Sequence, residues 1–140
     1  MFTSGPNNRS IPSSTVIPVV CYPDVPAAAA WLCKAFGFTE RLRIFTHRIQ
    51  LNVGDGALVV AEAGTNPIGG GDSIMIRVTN VDVHCSRAVS SGAVMVNPPT
   101  TYPFGERQYT AKDFAGHTWT FSQTVDDVDP ALWGGEMVED

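Results

Sequence analysis

The stretch that decides the fold is Tyr102–Gln123, YPFGERQYTAKDFAGHTWTFSQ. It predicts two antiparallel strands joined by a short turn at Asp113–Gly116. The second strand alternates, with Trp119 and Phe121 on one side and Thr118, Thr120 and Ser122 on the other. We expect the aromatic side to bury against a helix and the polar side to line a cleft.

Around this hairpin the chain is predicted to contain two copies of one β-α-β-β-β unit. The first copy has strands at Thr15–Cys21, Thr39–Thr46, Arg48–Val53 and Ala57–Glu62, with a helix from Asp24 to Gly37. The second has strands at Asp72–Thr79, Ala93–Val96, Glu106–Lys112 and His117–Thr124, with a helix from Asp82 to Gly92. Helix starts, helix ends and turn glycines recur about 55–60 residues apart, which indicates a duplicated module. The predicted fold class is therefore α+β.

The duplication sets the expected domain boundaries. Residues 1–14 form a flexible tail, residues 15–125 form one domain made of modules 15–63 and 72–125, and residues 126–140 form a second tail. Gly64–Gly71 is the predicted linker between the modules. The loop Asn97–Gly105, stiffened by three prolines, is expected to form either a rim or lid of the cleft or a simple proline-braced connection. We expect Trp133 to attach the C-terminal tail to the body or to a partner subunit.

Composition restricts the class of partner. The 140 residues are 44% apolar and carry a net charge of −5, so a core can form, but a basic surface for nucleic acid is not predicted. The three cysteines lie far apart, which predicts neither a zinc site nor a disulfide framework. No apolar run reaches the roughly 18 residues of a membrane span. A cytoplasmic protein that binds no membrane is expected.

The signature D-x-x-G-H-x-W-x-F resembles the vicinal oxygen chelate superfamily. Here it is carried by Asp113, Gly116, His117, Trp119 and Phe121. That superfamily contains glyoxalase I, the bleomycin-resistance proteins, the fosfomycin-resistance enzymes and the extradiol dioxygenases. The resemblance covers residues 15–125 and implies two βαβββ modules that form a curled mixed sheet with a cleft, in a homodimer.

The resemblance also implies where enzymatic members hold a metal ion. The matching cleft positions here are Ile17, Val60, Ser73 and Thr120, within about a residue for the first two. Aliphatic groups and neutral hydroxyls do not replace imidazole, carboxylate or thiolate ligands. We therefore expect no metal, no cofactor and no catalytic residue, as in the bleomycin-resistance branch.

A ligand-binding set is predicted from strand parity and from aromatic residues near the cleft mouth. Glu62 shares the side of Val60. If the side of Arg77 is the cleft, Arg77 is expected to be a buried cation that either pairs with Glu62 or Glu106 or anchors a ligand. His117 is expected to be structural, hydrogen-bonded to its turn, and Trp31, Phe36, Trp119 and Phe121 to lie in the core. The predicted ligand contacts are Phe45, Glu62, Met75, Arg77, Tyr102, Phe104, Glu106, Tyr109 and Thr120.

Three functional hypotheses follow. The first is a metal-free protein that sequesters an apolar or aromatic small molecule such as an antibiotic. The second is a glyoxalase-like lyase, isomerase or dioxygenase whose metal ligands are displaced to residues such as Glu62, Glu106 or His47. The third is a protein-association module that has no small ligand and uses its sheet edges and the Trp133 tail.

Overall fold

The computed structural model describes residues 8–63 and 72–137. The chain divides into two compact units, Met1–Ile68 and Gly69–Asp140. The predicted linker Gly64–Gly71, the first seven residues and the last three lie outside the described residues. Within the described ranges, no helix has both the length and the hydropathy needed to cross a bilayer.

The first unit has the predicted element order. It contains β1 (Val19–Tyr22), α1 (Val25–Phe36), β2 (Thr39–Ile44), β3 (Arg48–Val53) and β4 (Gly56–Glu62). The sheet order is β1-β4-β3-β2, in which β1 is parallel to β4 and the other pairs are antiparallel. β1 begins after Pro18, later than predicted, and lies at the sheet edge where a nearby proline is tolerated.

The caps of α1 confirm the predicted helix. Asp24 accepts a hydrogen bond from the amide of Ala27 at 3.1 Å, and Gly37 ends the helix with a φ of 84°. The buried stripe of α1 includes Leu32, Ala35 and Phe36. Trp31 is only half-buried and contacts the Phe36 ring edge-on at 5.2 Å, so it contributes less to the core than predicted.

The second unit repeats this topology. It contains β5 (Ser73–Arg77), α2 (Val81–Ser90), β6 (Val94–Thr101), β7 (Glu106–Lys112) and β8 (Thr118–Thr124), followed by a short 3-10 helix (Pro130–Trp133). The sheet order is β5-β8-β7-β6, again with one parallel pair, β5 with β8. The α+β class and the duplicated β-α-β-β-β order are therefore confirmed.

Two predicted boundaries in this unit are wrong. The cap of α2 is Asn80, which accepts from the Val83 amide at 3.1 Å, whereas Asp82 lies in the first turn and pairs with Arg107. β6 continues to Thr101 through the segment predicted as a rim or lid. Its pairing with β7 shifts twice, and its edge position accommodates prolines that cannot donate to a ladder.

The signature turn is built around the carboxylate of Asp113. This buried group accepts from the backbone amides of Ala115 and His117 and from the indole nitrogen of Trp119, each at 3.0 Å. Gly116 lies between them with a φ of 94°. A buried carboxylate needs such donors, so Asp113, His117 and Trp119 have a structural explanation as one hydrogen-bonded unit. The structural role predicted for His117 is confirmed at its backbone.

Alternation separates each sheet into two faces. In the second unit, His84 of α2 contacts the rings of Tyr109 and Phe121, so these residues and their same-side neighbours face the helix. In the first unit, the corresponding helix-facing set is the one that contains every strand residue exposed by 1% or less. That set is Val20, Tyr22, Ile49, Leu51, Leu58 and Val60.

Candidate functional site

The polar face of the second sheet brings together four of the nine predicted ligand contacts, Met75, Arg77, Glu106 and Thr120. We call it the second open face, meaning the side of β5, β8 and β7 that points away from α2. Strand register places Met75 beside Thr120 and places Glu106 beside Thr124, on this one face. Its members are Ser73, Met75, Arg77, Glu106, Gln108, Thr110, Lys112, Thr118, Thr120, Ser122 and Thr124.

A row of hydrogen bonds crosses the second open face. The Ser122 hydroxyl donates to Oε1 of Glu106 at 2.7 Å, and the Gln108 side-chain amide donates to that hydroxyl at 3.0 Å. The hydroxyls of Thr110 and Thr120 bond to each other at 2.9 Å. These contacts fix the side chains without using all of their oxygens, so the face presents ordered acceptors.

Glu106 is the carboxylate of this face. The hydrogen bond from Ser122 lowers the pKa of Glu106, a bond from Thr124 and the charge of Arg77 act in the same direction, and partial burial opposes them. The group is therefore held as an anion at neutral pH. An ordered carboxylate of this kind is suited to accept hydrogen bonds from a ligand.

Arg77 differs from its prediction. It is exposed, and its guanidinium donates to the hydroxyl of Thr124 at 2.8 Å. The predicted buried ion pair with Glu62 or Glu106 is therefore wrong, although Arg77 influences Glu106 through space. Because β5 is an edge strand, the long side chain reaches water and needs no buried partner.

Met75 is the apolar member of the face. Its side chain is 62% exposed although it lies opposite Thr120, in the middle of β5. A large apolar group standing free among hydroxyls is a natural contact for an apolar part of a ligand.

Aromatic rings lie in the turn directly before Glu106. The rings of Tyr102 and Phe104 stack with centroids 5.4 Å apart, and Phe104 contacts Trp133 at 5.5 Å. The predicted attachment of the C-terminal segment through Trp133 is thus confirmed. Gly105 has a φ of 86°, and the turn closes through its amide, which donates to the Tyr102 carbonyl.

Tyr109 does not belong to the site. It is fully buried on the helix-facing side, where its hydroxyl lies 2.5 Å from Nδ1 of His84 and its ring stacks on Phe121. Burial is the main cause that raises the pKa of Tyr109. Its prediction as a ligand contact is wrong because it alternates with Gln108 and Thr110, which are the residues on the open side.

The two predicted site residues of the first unit, Phe45 and Glu62, are both exposed. Phe45 is 83% exposed in the β2–β3 turn with a φ of 49°, and it stacks on His47. Glu62 is exposed at the end of β4 and shares the side of Val60. That side faces α1, so the cleft-facing parity predicted for Val60 and Glu62 is wrong. The open positions of β4 are Ala57, Val59 and Ala61.

The donor set does not fit a divalent metal ion. Ser73 and Thr120 lie on the second open face as expected, yet they offer neutral hydroxyls. Within residues 8–63 and 72–137, no group of three or more His, Cys, Asp or Glu side chains could hold a metal. Among the side chains of the second open face, the only carboxylate is Glu106.

Sequence reasoning missed Gln108, Thr110 and Ser122 as site residues. The signal for them was available, because they alternate with Tyr109, Phe121 and the other buried aromatics. Their short polar side chains carried no separate functional signature.

Comparison with known proteins supplies the family. The model of the Glyoxalase/Bleomycin resistance protein/Dioxygenase superfamily matches residues 15–121, more than half of the chain. No curated protein matched.

Solved structures share the fold. TioX from Micromonospora sp. ML1 is 33% identical, with a TM-score of 0.69 over 79% of this chain and 98% of that chain. A glyoxalase-related enzyme from Fulvimarina pelagi is 17% identical, with a TM-score of 0.67 over 79% and 87%. The fosfomycin resistance protein FosX from Listeria monocytogenes, complexed with Mn(II) and sulfate, is 17% identical, with a TM-score of 0.66 over 79% and 90%.

Proposed function

This chain belongs to the glyoxalase, bleomycin resistance protein and dioxygenase superfamily, and we propose that it is a metal-independent protein that binds and sequesters a small molecule. The observation that carries the proposal is the composition of the second open face. On this face, hydroxyls and an amide surround one carboxylate and one exposed methionine. The set of metal ligands that a metal-dependent reaction requires is not among them.

The ligand proposed for this face is an apolar or aromatic small molecule, possessing at least one N–H or O–H group. Met75 supplies an apolar contact, and the Tyr102–Phe104 pair offers a stacking surface at the adjoining turn. Glu106 accepts the hydrogen bond that orients the ligand. A role in antibiotic resistance or self-protection fits such a site, as does a cytoplasmic location.

Calorimetric titration of chelator-treated protein against planar and glycopeptide antibiotics tests the proposal. We expect saturable binding by at least one ligand, weakened by about tenfold or more in Met75→Glu, because the new carboxylate is desolvated by the ligand. Met137→Glu is the matched control, since Met137 is also exposed but lies outside the sheet. Absence of binding across the panel would reject the proposal.

A metal-dependent enzyme is the second candidate, and the anionic Glu106 is the observation that favours it. One carboxylate gives a single ligand, so this candidate requires others that are not clustered with it in the described residues. Metal analysis of protein purified without chelators separates the candidates. One equivalent of a divalent ion that Glu106→Gln removes would favour the enzyme.

We also propose that the protein forms a homodimer, as the family resemblance implies, and binds neither nucleic acid nor membrane. Light scattering would then give twice the 15.0 kDa mass of one chain. A single-chain mass at micromolar concentration would refute the dimer.

A further inference from the structure

The segment that follows β8 folds back onto the turn that precedes β7. We call residues 125–137 the C-terminal clip. At its start, the backbone amide of Val125 donates to the Gly105 carbonyl at 2.9 Å. Further along, the ring of Trp133 contacts the ring of Phe104, which belongs to the stacked aromatic pair of that turn. The clip and the turn therefore share one continuous cluster of three aromatic rings.

The clip itself holds the indole of Trp133 in one position. Asp129 accepts a hydrogen bond from the Ala131 amide at 3.1 Å. The Gly135 amide donates to the Pro130 carbonyl at 2.8 Å, which closes the loop around the indole. Gly135 lies so close that a Cβ there would be 3.1 Å from Cη2 of Trp133. A ligand that contacts this ring therefore loses little free energy by ordering it.

This fixed indole remains open to solvent. Trp133 is 47% exposed, and the preceding Leu132 is 79% exposed. Tryptophan is on average a highly buried residue, and Trp119 in the same unit is fully buried. Attachment of the clip to Phe104 therefore uses only part of the indole, and the rest of its surface is available for a second contact.

The clip is strongly acidic. Its carboxylates are all exposed and belong to Asp126, Asp127, Asp129 and Glu136. No Lys or Arg follows Lys112 in the sequence. Within the described part of the chain, none of the four carboxylates forms a salt bridge. The surface of the clip therefore attracts positive charge.

The chain path brings charge and ring together. Asp129 caps the 3-10 helix that ends at Trp133, and Glu136 directly follows Gly135, which lies against the indole. The face of an aromatic ring attracts cations, and indole does so more strongly than the rings of Tyr or Phe. An exposed indole flanked by carboxylates is thus suited to a ligand that has both an apolar surface and a positive charge.

We propose that the C-terminal clip is a binding site for a planar organic cation, which stacks on the indole of Trp133 while the carboxylates of the clip compensate its charge. An inorganic cation fits less well, because no group of three or more potential metal ligands is clustered in the described residues. The family match covers residues 15–121 and the clip begins at residue 125, so the site lies in a segment outside the matched residues. It requires neither Met75 nor Glu106, and this inference does not rest on the proposed function.

The test uses a matched pair of small probes on the full chain. N-methylquinolinium carries a permanent positive charge, and quinoline has nearly the same shape but is uncharged at slightly alkaline pH. Binding is followed through the three tryptophan indole N–H signals in ¹⁵N NMR. We expect N-methylquinolinium to shift the Trp133 signal saturably and to leave those of Trp31 and Trp119 in place. Quinoline should bind about fivefold or more weakly.

Two variants separate the ring from the charge, with affinities measured from the NMR signals of the probe. Trp133→Ala should weaken N-methylquinolinium binding about fivefold or more, and Trp133→Phe should restore part of it. The triple variant Asp126→Asn, Asp127→Asn, Glu136→Gln should weaken N-methylquinolinium but not quinoline. Asp129 is left intact because it caps the 3-10 helix. The matched control is Glu62→Gln, an exposed carboxylate of the first unit, which should change neither affinity.

Equal affinity for the two probes would overturn the proposal, as would shifts at Trp31 or Trp119 with an unchanged Trp133 signal. Unchanged binding by Trp133→Ala would also overturn it. If Trp133→Ala does not fold, the triple variant decides, because its three positions are exposed. An unchanged preference for N-methylquinolinium in that variant contradicts the proposal, and a lost preference supports it.

Discussion

Gln50 and Gln108 occupy the same place in the two units but form hydrogen bonds in different directions. Each lies on the open face in the third strand of its unit. Gln108 is paired with Ser122 and donates to its hydroxyl across the sheet. Gln50 is paired with Val59, whose side chain offers no acceptor, and donates to the backbone carbonyl of Ser10 in the N-terminal segment.

The comparison shows that the residue opposite the glutamine on the neighbouring strand determines where the glutamine side chain forms its hydrogen bonds. A hydroxyl opposite the glutamine keeps the hydrogen bonds within the second sheet and leaves that face available. A valine there makes the glutamine satisfy its donors outside the first sheet, because a buried amide needs a partner. Gln50 and Val59 are both buried, whereas the second open face retains an exposed methionine.

The largest loss of stability is expected from a substitution in the signature turn of the second unit. Trp119→Ala removes a fully buried ring and leaves one oxygen of Asp113 without its indole donor. The free energy of unfolding should fall by about 3–5 kcal/mol. Chemical denaturation measures it, with Trp133→Ala as the control on an exposed indole. A loss below 1 kcal/mol would contradict the core role of Trp119.

Two turn glycines give the next comparison. Gly105 and Gly54 both have positive φ, but a Cβ on Gly105 would overlap the Asp126 carbonyl oxygen, whereas one on Gly54 meets nothing within 4 Å. Gly54→Ala should cost about 1–2 kcal/mol from backbone strain alone. Gly105→Ala should cost about 2–5 kcal/mol, because steric overlap is added. Equal losses in denaturant titrations would refute this difference.

The substitution Ser122→Val gives Gln108 the same cross-strand neighbour that Gln50 has in the first unit, a valine. Gln108 then loses its acceptor and Glu106 its main donor, so stability should fall by about 1–3 kcal/mol. The pKa of Glu106 should rise toward its ordinary value, because the Ser122 bond is the largest cause of its lowering. Carboxyl NMR titration measures the change. The reciprocal control is Val59→Ser, which adds a hydroxyl opposite Gln50 in a cross-strand row that contains no carboxylate.

The smallest effect is the acid dependence of Glu106. Because its folded pKa is lowered, its stabilising contribution is present above the unfolded pKa and is lost as the pH falls through the folded pKa. The group is partly exposed, so the contribution is about 0.2–1 kcal/mol. In Glu106→Gln, the free energy of unfolding should depend less on pH between about pH 5 and 3. An unchanged slope relative to wild type would contradict this, and Glu62→Gln serves as the exposed control.

Much of the fold could be predicted because its signals are local. β3 and β7 follow from clean strand boundaries and turn glycines, and α1 follows from its Asp24 and Gly37 caps. The cap of α2 was misplaced because Asn80 and Asp82 are both capable acceptors two residues apart.

The site was predicted less well, for physical reasons. Ala57–Ala61 is a continuous apolar run, so alternation could not show that Val59, rather than Val60, lies on the open side. Arg9 and Ser10 are bonded to the first sheet through their backbone carbonyls, which every residue possesses, so residues 8–14 resemble a flexible tail in sequence. Met75, Arg77, Glu106 and Thr120 could be predicted to share one face because β5, β7 and β8 all alternate regularly.

The most direct test of the central claim is a ligand titration followed by amide NMR in the presence of a chelator. A binder found by calorimetry should shift the amides of Met75, Glu106 and Thr120 on the second open face, and added Mn²⁺ or Zn²⁺ should not strengthen binding. Binding that appears only after a divalent ion is added, or shifts that leave these three amides unaffected, would contradict a metal-independent site on this face.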